Sequence, residues 1–123
     1  MKIQSFELER RQSLWENKVD YNLTESGIHP LSLDELLTKK ERASLMNRRL
    51  GYGQTNGDDI LRGRIAALYS ERNGSKENVL VTNGSSEANF LAVHTWLDPG
   101  DELIFMLPNY RQMDGLARVY DVE

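Results

Sequence analysis

The residues of this sequence that are best placed to do chemistry lie in the run VLVTNGSSEANFLAVHTWLDPGDE, residues 79–102. A short apolar, β-branched stretch leads into Asn83, and Gly84, Ser85 and Ser86 then pass directly into a helical pattern. The start of a helix presents unpaired backbone N–H groups and the positive end of the helix dipole. Gly84 lets the backbone approach a ligand closely, and the two hydroxyls can donate to phosphate oxygens. The arrangement predicts an anion-binding site.

A simpler interpretation of the same residues needs no ligand. Serine is a common helix cap, and from the local residues alone the preferred interpretation is that Ser85 caps its own helix. Other phosphate loops fit poorly. The sequence contains no Gly-Lys-[Ser/Thr] ending of a P-loop, and the glycines at 51, 53 and 57 have the wrong spacing for a dinucleotide fingerprint.

The elements that must position this loop alternate between strand and helix. Helical patterns occupy residues 6–17, 31–45, 85–97 and 111–118, and a further one begins at residue 58. Short apolar or alternating runs predict strands at residues 18–23, 78–82 and 103–107, and residues 119–123 begin another. Strands and helices in this order are typical of parallel βαβ units. The expected fold class is therefore α/β, an incomplete parallel sheet with flanking helices.

Composition narrows the function classes. A chain of 123 residues has room for one core, and its net charge of −4 argues against nucleic acid as the main partner. No apolar run approaches the ~20 residues of a membrane span. The absence of cysteine excludes disulfides and thiolate chemistry. Together with the lack of a leader pattern, it favours the cytoplasm as the location.

Four short segments in register carry a family resemblance. They are Tyr52 ahead of GDDILR at 57–62, TNGSSEA at 82–88, DPGDE at 98–102 and PNY at 108–110. In this order and spacing they resemble the beginning of the large domain in class I and II aminotransferases, which are pyridoxal-phosphate enzymes of fold type I. The agreement extends over residues 50–116, and residues 1–49 match more loosely. The resemblance implies the N-terminal part of the aspartate-aminotransferase-like architecture.

The resemblance also implies roles for single residues. Gly84, Ser85 and Ser86 would hold the phosphate of pyridoxal 5'-phosphate, in agreement with the anion site predicted from the residues themselves. Tyr110 would stack on the pyridine ring, although from chemistry alone it is equally well a half-buried aromatic residue. Tyr52 would reach a phosphate in the neighbouring subunit, because these enzymes are generally homodimers with shared active sites.

Two regions follow from the same comparison. Residues 1–49 would form the N-terminal arm and the start of the small domain, with Gly27 near the substrate carboxylate. Residues 50–123 would form the first part of the large, cofactor-binding domain. None of the lysines in the chain matches the family's catalytic lysine, so no catalytic residue is assigned, and no metal site is predicted.

The expected function is that of an N-terminal fragment of an aminotransferase-like enzyme. The full-length parent would transfer an amino group between an amino acid and a 2-oxo acid, and the fragment by itself would not be catalytic. One alternative is a pyridoxal-phosphate-dependent lyase or decarboxylase as the parent. Another is a non-catalytic binding or oligomerisation module built from half of this fold.

Overall fold

The computed structural model describes residues 4–72 and 74–123, and its regular secondary structure is helical. Six α-helices follow one another along the chain, and two 3₁₀ turns lie between the fourth and fifth of them, at Ser70–Arg72 and Lys76–Asn78. The helices are α1 Glu7–Trp15, α2 Leu33–Leu36, α3 Lys39–Met46, α4 Asp59–Ala67, α5 Ser85–Trp96 and α6 Gln112–Val119. No helix in the described part of the chain is long and apolar enough to cross a membrane.

The helix predictions are confirmed at the level of elements. Helices occur in residues 6–17, after residue 58, in 85–97 and in 111–118, as their patterns indicate. The pattern at 31–45 is divided into α2 and α3, because two capping boxes follow each other closely. Ser32 and Glu35 cap α2, and Thr38 and Glu41 cap α3. A second cap within a helical pattern starts a new helix instead of continuing the old one.

The predicted α/β fold class, with its incomplete parallel sheet, is wrong. No strand is present among residues 4–72 and 74–123, including the segments 18–23, 78–82 and 103–107. Val79 is extended, with φ −113° and ψ 121°, but extended backbone becomes a strand only when a neighbour pairs with it. Those neighbours are distant in sequence, and an apolar pattern specifies the backbone conformation without specifying a partner. The hydrogen bonds within helices α4, α5 and α6 join residues that are close in sequence, so they form without a distant partner.

The nearest approach to strand pairing involves the last residues of the chain. The N–H of Gly100 donates to the carbonyl of Asp121 at 2.8 Å, and the N–H of Leu103 donates to Glu123 at 2.6 Å. The N–H of Glu123 donates back to the carbonyl of Asp101 at 2.8 Å. Both segments run in the same direction, so these bonds have the slanted order of a parallel pair. Residues 119–123 nevertheless form no assigned strand, since Val119 closes α6.

Two small packing units hold the helices. Helix α5 packs on α6, and α4 packs on the turn at Lys76–Asn78. The buried apolar residues are few and small to medium in size: Ala66, Val93, Leu116, Ala117 and Val122. Large apolar side chains in the segments predicted as strands remain in solvent, with Leu80 56% and Ile104 100% exposed. Within the described residues, the core therefore consists of helix contacts and of Val122, which follows α6.

Arg62 connects α4 to the segment that leads into the glycine-serine loop. The residue is only 6% exposed. Its Nε donates to the carbonyl of Val79 at 3.0 Å, and a terminal nitrogen donates to the carbonyl of Lys76 at 2.7 Å. The carboxylates of Asp59 and Glu77 lie 3.3 and 3.4 Å from the guanidinium. A buried charge is tolerated only with such pairing and hydrogen bonding.

Close backbone packing continues from Arg62 to the next residues. Gly57 has φ 103°, and a Cβ atom there would lie 2.5 Å from Cγ2 of Val81. The N–H of Val81 donates to the carbonyl of Asn56 at 3.0 Å. Only glycine allows this approach together with a positive φ. The loop before α4 thus lies directly against residues 79–81.

We expect Arg62→Met to loosen residues 76–82. The substitution keeps the apolar stem but removes the side-chain donor from the carbonyl of Val79 and one of two donors from the carbonyl of Lys76, which also accepts from the N–H of Val79. A hydrogen bond from a charged group contributes about 1.5–3 kcal/mol. Hydrogen exchange at the amides of Val79 and Val81 should accelerate about 10- to 100-fold. Arg64→Met, on the exposed side of the same helix, is the matched control. Equal protection in both variants would contradict a structural role for Arg62.

Candidate functional site

The start of α5 is formed by a glycine and not by a capping side chain. Gly84 is the N-cap residue, with φ 86° and ψ 166°, and no side chain accepts a hydrogen bond from the first turn. The interpretation in which Ser85 merely caps its own helix is therefore wrong, because Ser85 is already the first helical residue. Such a backbone conformation is essentially restricted to glycine.

The space in front of this turn is open. A Cβ atom at Gly84 would meet nothing within 4 Å, and Gly84, Ser85 and Ser86 are all exposed. The first N–H groups of a helix have no partner within the helix. The first internal bond of α5, from the N–H of Ala88 to the carbonyl of Gly84, is long at 3.4 Å. The turn thus offers backbone donors and two hydroxyls to solvent or to an anion.

One carboxylate already occupies part of this turn. Oε2 of Glu87 accepts a hydrogen bond from the N–H of Asn83 at 2.5 Å, and the hydroxyl of Thr82 donates to the carbonyl of Gly84 at 3.0 Å. These bonds fix the loop, and the negative charge is favourable at a helix start. They also remove the amide of Asn83 from the available donors. An anion would therefore be bound on the side of Ser85 and Ser86.

The segment around Tyr110 is tied to the same turn. Nε2 of Gln112 donates to the carbonyl of Ser86 at 2.8 Å, and Nδ2 of Asn89 donates to Oε1 of Gln112 at 3.0 Å. These bonds connect the start of α6 with the first two turns of α5. Tyr110 lies two residues before Gln112, whose side chain contacts Ser86.

Tyr110 itself is partly exposed. Its side chain is 43% exposed, and its ring meets that of Phe6 edge to face, with the centroids 5.2 Å apart. An open pocket of about 250 Å³ lies beside it, and Phe6, Arg111 and Gln112 also line this pocket. The arrangement leaves part of the aromatic surface free for a ligand, as a ring-stacking role requires.

Tyr52 and Gly27 lie apart from this cluster in their contacts. Tyr52 is fully exposed, and the N–H of Gly27 donates to a carboxylate oxygen of Glu25 at 2.7 Å. Within residues 4–72 and 74–123, no hydrogen bond or aromatic contact connects either residue with the start of α5. Of the predicted site residues, the contacts therefore bring together Gly84, Ser85 and Ser86 with the segment of Tyr110.

Sequence reasoning missed the residues that assemble this cluster. Phe6 contacts Tyr110 and Gln112 contacts Ser86, whereas Asn89 donates to Gln112 and Glu87 fixes the loop. For Glu87 a local signal exists, since an acidic residue in the first turn is a common helix-start feature. Gln112 and Ser86 are 26 residues apart. No local pattern indicates such a pair.

A carboxylate organises the first turn of α6. Asp114 accepts hydrogen bonds from Arg118, at 2.7 Å, and from Arg111. These bonds, first that of Arg118 and then that of Arg111, hold the pKa of the Asp114 carboxyl below its usual range. Arg111, the N-cap residue of α6, is thereby fixed beside Tyr110. Among the described residues, no group of three or more His, Cys, Asp or Glu is arranged to hold a metal ion.

Comparison with known proteins gives a family match for most of this chain. The family described as aminotransferase class I and II matches residues 20–123. Capreomycidine synthase from Streptomyces vinaceus is 35% identical over 114 residues, which cover 87% of this chain and 28% of that protein. Aspartate aminotransferase from Sulfurisphaera tokodaii is 40% identical over 62 residues, covering 49% of this chain and 16% of that enzyme.

A second archaeal protein gives a similar result. Aspartate aminotransferase from Sulfolobus acidocaldarius is 36% identical over 62 residues, covering 48% of this chain and 16% of that enzyme. No solved structure gives a significant match. The chain spans between about a sixth and somewhat more than a quarter of the length of these curated relatives.

We expect Gly84→Ala to destabilise the start of α5. The new Cβ meets no neighbour, so the cost is one of backbone conformation, about 1–3 kcal/mol. Gly63→Ala, within α4, is the matched control. A Cβ atom at residue 63 also meets nothing within 4 Å, and alanine is favoured over glycine inside a helix. Chemical denaturation followed by circular dichroism should show Gly84→Ala less stable and Gly63→Ala equal or more stable. Equal shifts for both variants would contradict the special conformation of Gly84.

The bonds of Asp114 predict acid sensitivity in α6. Because its pKa is lowered in the folded chain, the carboxylate contributes stability above its ordinary pKa of about 3.9 and loses this contribution as pH falls through the folded value. Residue-specific NMR should show Asp114 titrating below that value and α6 fraying at the same pH. Asp114→Asn should fray α6 already at neutral pH. A titration of Asp114 at or above its ordinary value would refute the prediction.

Proposed function

Since this chain belongs to the class I and II aminotransferases, a pyridoxal-phosphate-dependent family, we propose that it supplies the cofactor-phosphate-binding part of such an enzyme. The full-length protein transfers an amino group between an amino acid and a 2-oxo acid. Residues 1–49 form the arm and the start of the small domain, and residues 50–123 form the first part of the large domain. No residue within the chain is assigned to the proton transfer itself.

The observation that carries this proposal is the glycine start of α5. Gly84 begins the helix with φ 86°, without a capping side chain and without a neighbour in the space that its Cβ would fill. The turn therefore has donors to offer, and a dianionic phosphate at a helix N-terminus is stabilised by those donors and by the dipole. Ser85 and Ser86 add hydroxyl donors on the exposed side. In donor type and in space, these residues fit the cofactor phosphate.

The other proposed roles concern the cofactor ring, the second subunit and the substrate. Tyr110 stacks on the pyridine ring, supported by its exposed surface and by the Gln112 bond to the phosphate-binding turn. Tyr52 contributes to the phosphate site of a second subunit in a homodimer, supported by its complete exposure on its own chain. Gly27 lies near the substrate carboxylate. The chain has no cysteine, and we place the enzyme in the cytoplasm.

When bound, pyridoxal phosphate supplies the electron sink for chemistry at the substrate α-carbon. The residues of this chain bind and orient. The turn at Ser85 and Ser86 fixes the phosphate, which anchors one end of the cofactor, and Tyr110 restricts the tilt of its ring. Holding both ends of the cofactor would keep its ring in one position and orientation, and correct orientation of reacting groups lowers the barrier of a reaction.

A second candidate is a pyridoxal-phosphate-dependent lyase or another synthase-type reaction. The relative that covers most of this chain, 87%, is named capreomycidine synthase, whereas the two aspartate aminotransferases cover 49% and 48%. Incubation of the full-length protein with a ¹⁵N-labelled amino acid, with and without a 2-oxo acid, distinguishes the two. Transfer of the label to the 2-oxo acid supports amino-group transfer. Consumption of many equivalents of the amino acid per protein without an acceptor supports the second candidate, because amino-group transfer without an acceptor stops after one equivalent.

We expect the double variant Ser85→Ala/Ser86→Ala to weaken pyridoxal phosphate binding about 10- to 100-fold. The variant loses two hydroxyl donors to a charged phosphate. Each such bond contributes about 1.5–3 kcal/mol, and the two contributions are not fully additive. Fluorescence titration of the full-length apoprotein measures the affinity. Ser13→Ala/Ser44→Ala, two exposed serines within α1 and α3, is the matched control. Unchanged affinity in the first variant would eliminate the assigned phosphate site.

A further inference from the structure

Gln112 is the side chain that connects the two parts of the site. Its amide nitrogen donates to the carbonyl of Ser86 at 2.8 Å, and its amide oxygen accepts from Asn89 at 3.0 Å. Both ends of the amide are therefore used, which fixes its orientation. Gln112 and Asn89 are partly buried, while Ser86 is exposed. A partly buried amide that is bonded at both ends holds its position better than an exposed one.

These bonds act on two elements that the proposed site needs in a defined relation. Ser86 belongs to the turn that offers donors to a phosphate, and Tyr110 precedes Gln112 by two residues. Gln112 is the first residue of α6, and Tyr110 precedes it by two residues. The bond from Gln112 to Ser86 therefore fixes the backbone next to Tyr110. Any slip of α6 relative to α5 would change the distance between the phosphate site and the ring of Tyr110.

Phe6 restricts the same ring from another side. The rings of Phe6 and Tyr110 meet at an interplanar angle of 61°, so the edge of one faces the other. Such contacts contribute about 0.5–1.5 kcal/mol beyond burial. Phe6 restricts the tilt of the ring, but in the described residues no side-chain hydrogen bond or aromatic contact joins Phe6 to the phosphate-binding turn. Gln112 therefore carries the link between the two parts.

We infer that Gln112 is a positioning residue that sets the separation between the phosphate-binding turn at Ser85 and Ser86 and the ring of Tyr110. The inference rests on the proposed function. A ligand that occupies both parts, such as pyridoxal phosphate, depends on this separation. A ligand that occupies only the turn, such as inorganic phosphate, does not depend on it.

The experiment compares these two probes on the full-length apoprotein. Gln112→Met removes both hydrogen bonds at similar side-chain volume, and Asn89→Leu removes only the bond from Asn89. Gln12→Met is the matched control, because Gln12 also donates to a backbone carbonyl, that of Thr24 at 3.0 Å. Affinities for inorganic phosphate and for pyridoxal phosphate are measured, together with the induced circular dichroism of the bound cofactor, which reports a fixed ring orientation.

We expect Gln112→Met to weaken pyridoxal phosphate binding about tenfold and to reduce the induced circular dichroism, while phosphate affinity stays within about twofold. Asn89→Leu should change both readouts in the same direction by a smaller factor, and Gln12→Met should change neither. If Gln112→Met does not fold, the Asn89→Leu result decides by the same criteria. Unchanged cofactor binding, or a parallel loss for both probes, would overturn the inference.

The outcome also separates this inference from the proposed function. If Ser85→Ala/Ser86→Ala weakens binding of both probes but Gln112→Met has no effect, the positioning role is wrong and the phosphate site stands. If neither probe binds in a serine-dependent manner, the proposed function and this inference both fail.

Discussion

The buried guanidinium of Arg62 is the interaction on which the path to the site depends. A planar cation at 6% exposure requires acceptors in fixed directions, and the carbonyls of Lys76 and Val79 supply two of them. Those residues follow Arg62 by 14 and 17 positions, so its bonds close a loop and fix residues 76–79 on α4. From Val79 only a few residues remain before Gly84. Arg62 thus fixes the direction from which the chain enters the start of α5, although it lies in a different helix and does not contact the site.

Local chemistry explains which parts of the fold the sequence predicts well. The capping boxes at Ser32 and Thr38 and the Asp58 cap, which accepts from Ile60 and Leu61, join residues two or three positions apart. Such bonds form whatever the rest of the chain does, so helix existence is readable from pattern. Strand pairing depends on residues far apart, and the segments at 78–82 and 103–107 gain no ladder. Their apolar residues predict extended backbone correctly at Val79 and predict the sheet wrongly.

The same distinction applies to the candidate site. Residue type and neighbourhood alone predict Gly84, Ser85 and Ser86, because an apolar run, a glycine and two hydroxyls stand next to one another. Gln112 was not found, since its partner Ser86 is 26 residues away and glutamine at a helix start has no distinctive pattern. Arg62 shows the same limit of local patterns. The ion pair with Asp59 is present, but burial depends on residues 76–79, which no local pattern connects with it.

The start of α5 differs from the other helix starts in a way that bears on binding. Helices α2, α3 and α4 each have a side chain that caps the first turn. Helices α1 and α6 have Phe6 and Arg111 as N-cap residues, and the side chains of these two residues are not acceptors. At α5 an asparagine and a serine flank the cap position, yet glycine occupies it and the first turn has no side-chain cap. Forgoing a side-chain cap costs only a few tenths of a kcal/mol when glycine replaces it. At that small cost, no side chain caps the first turn at Ser85 and Ser86, although Glu87 occupies the neighbouring amide of Asn83. Departures from local stability rules are expected where a ligand completes the structure, and a phosphate would complete this one.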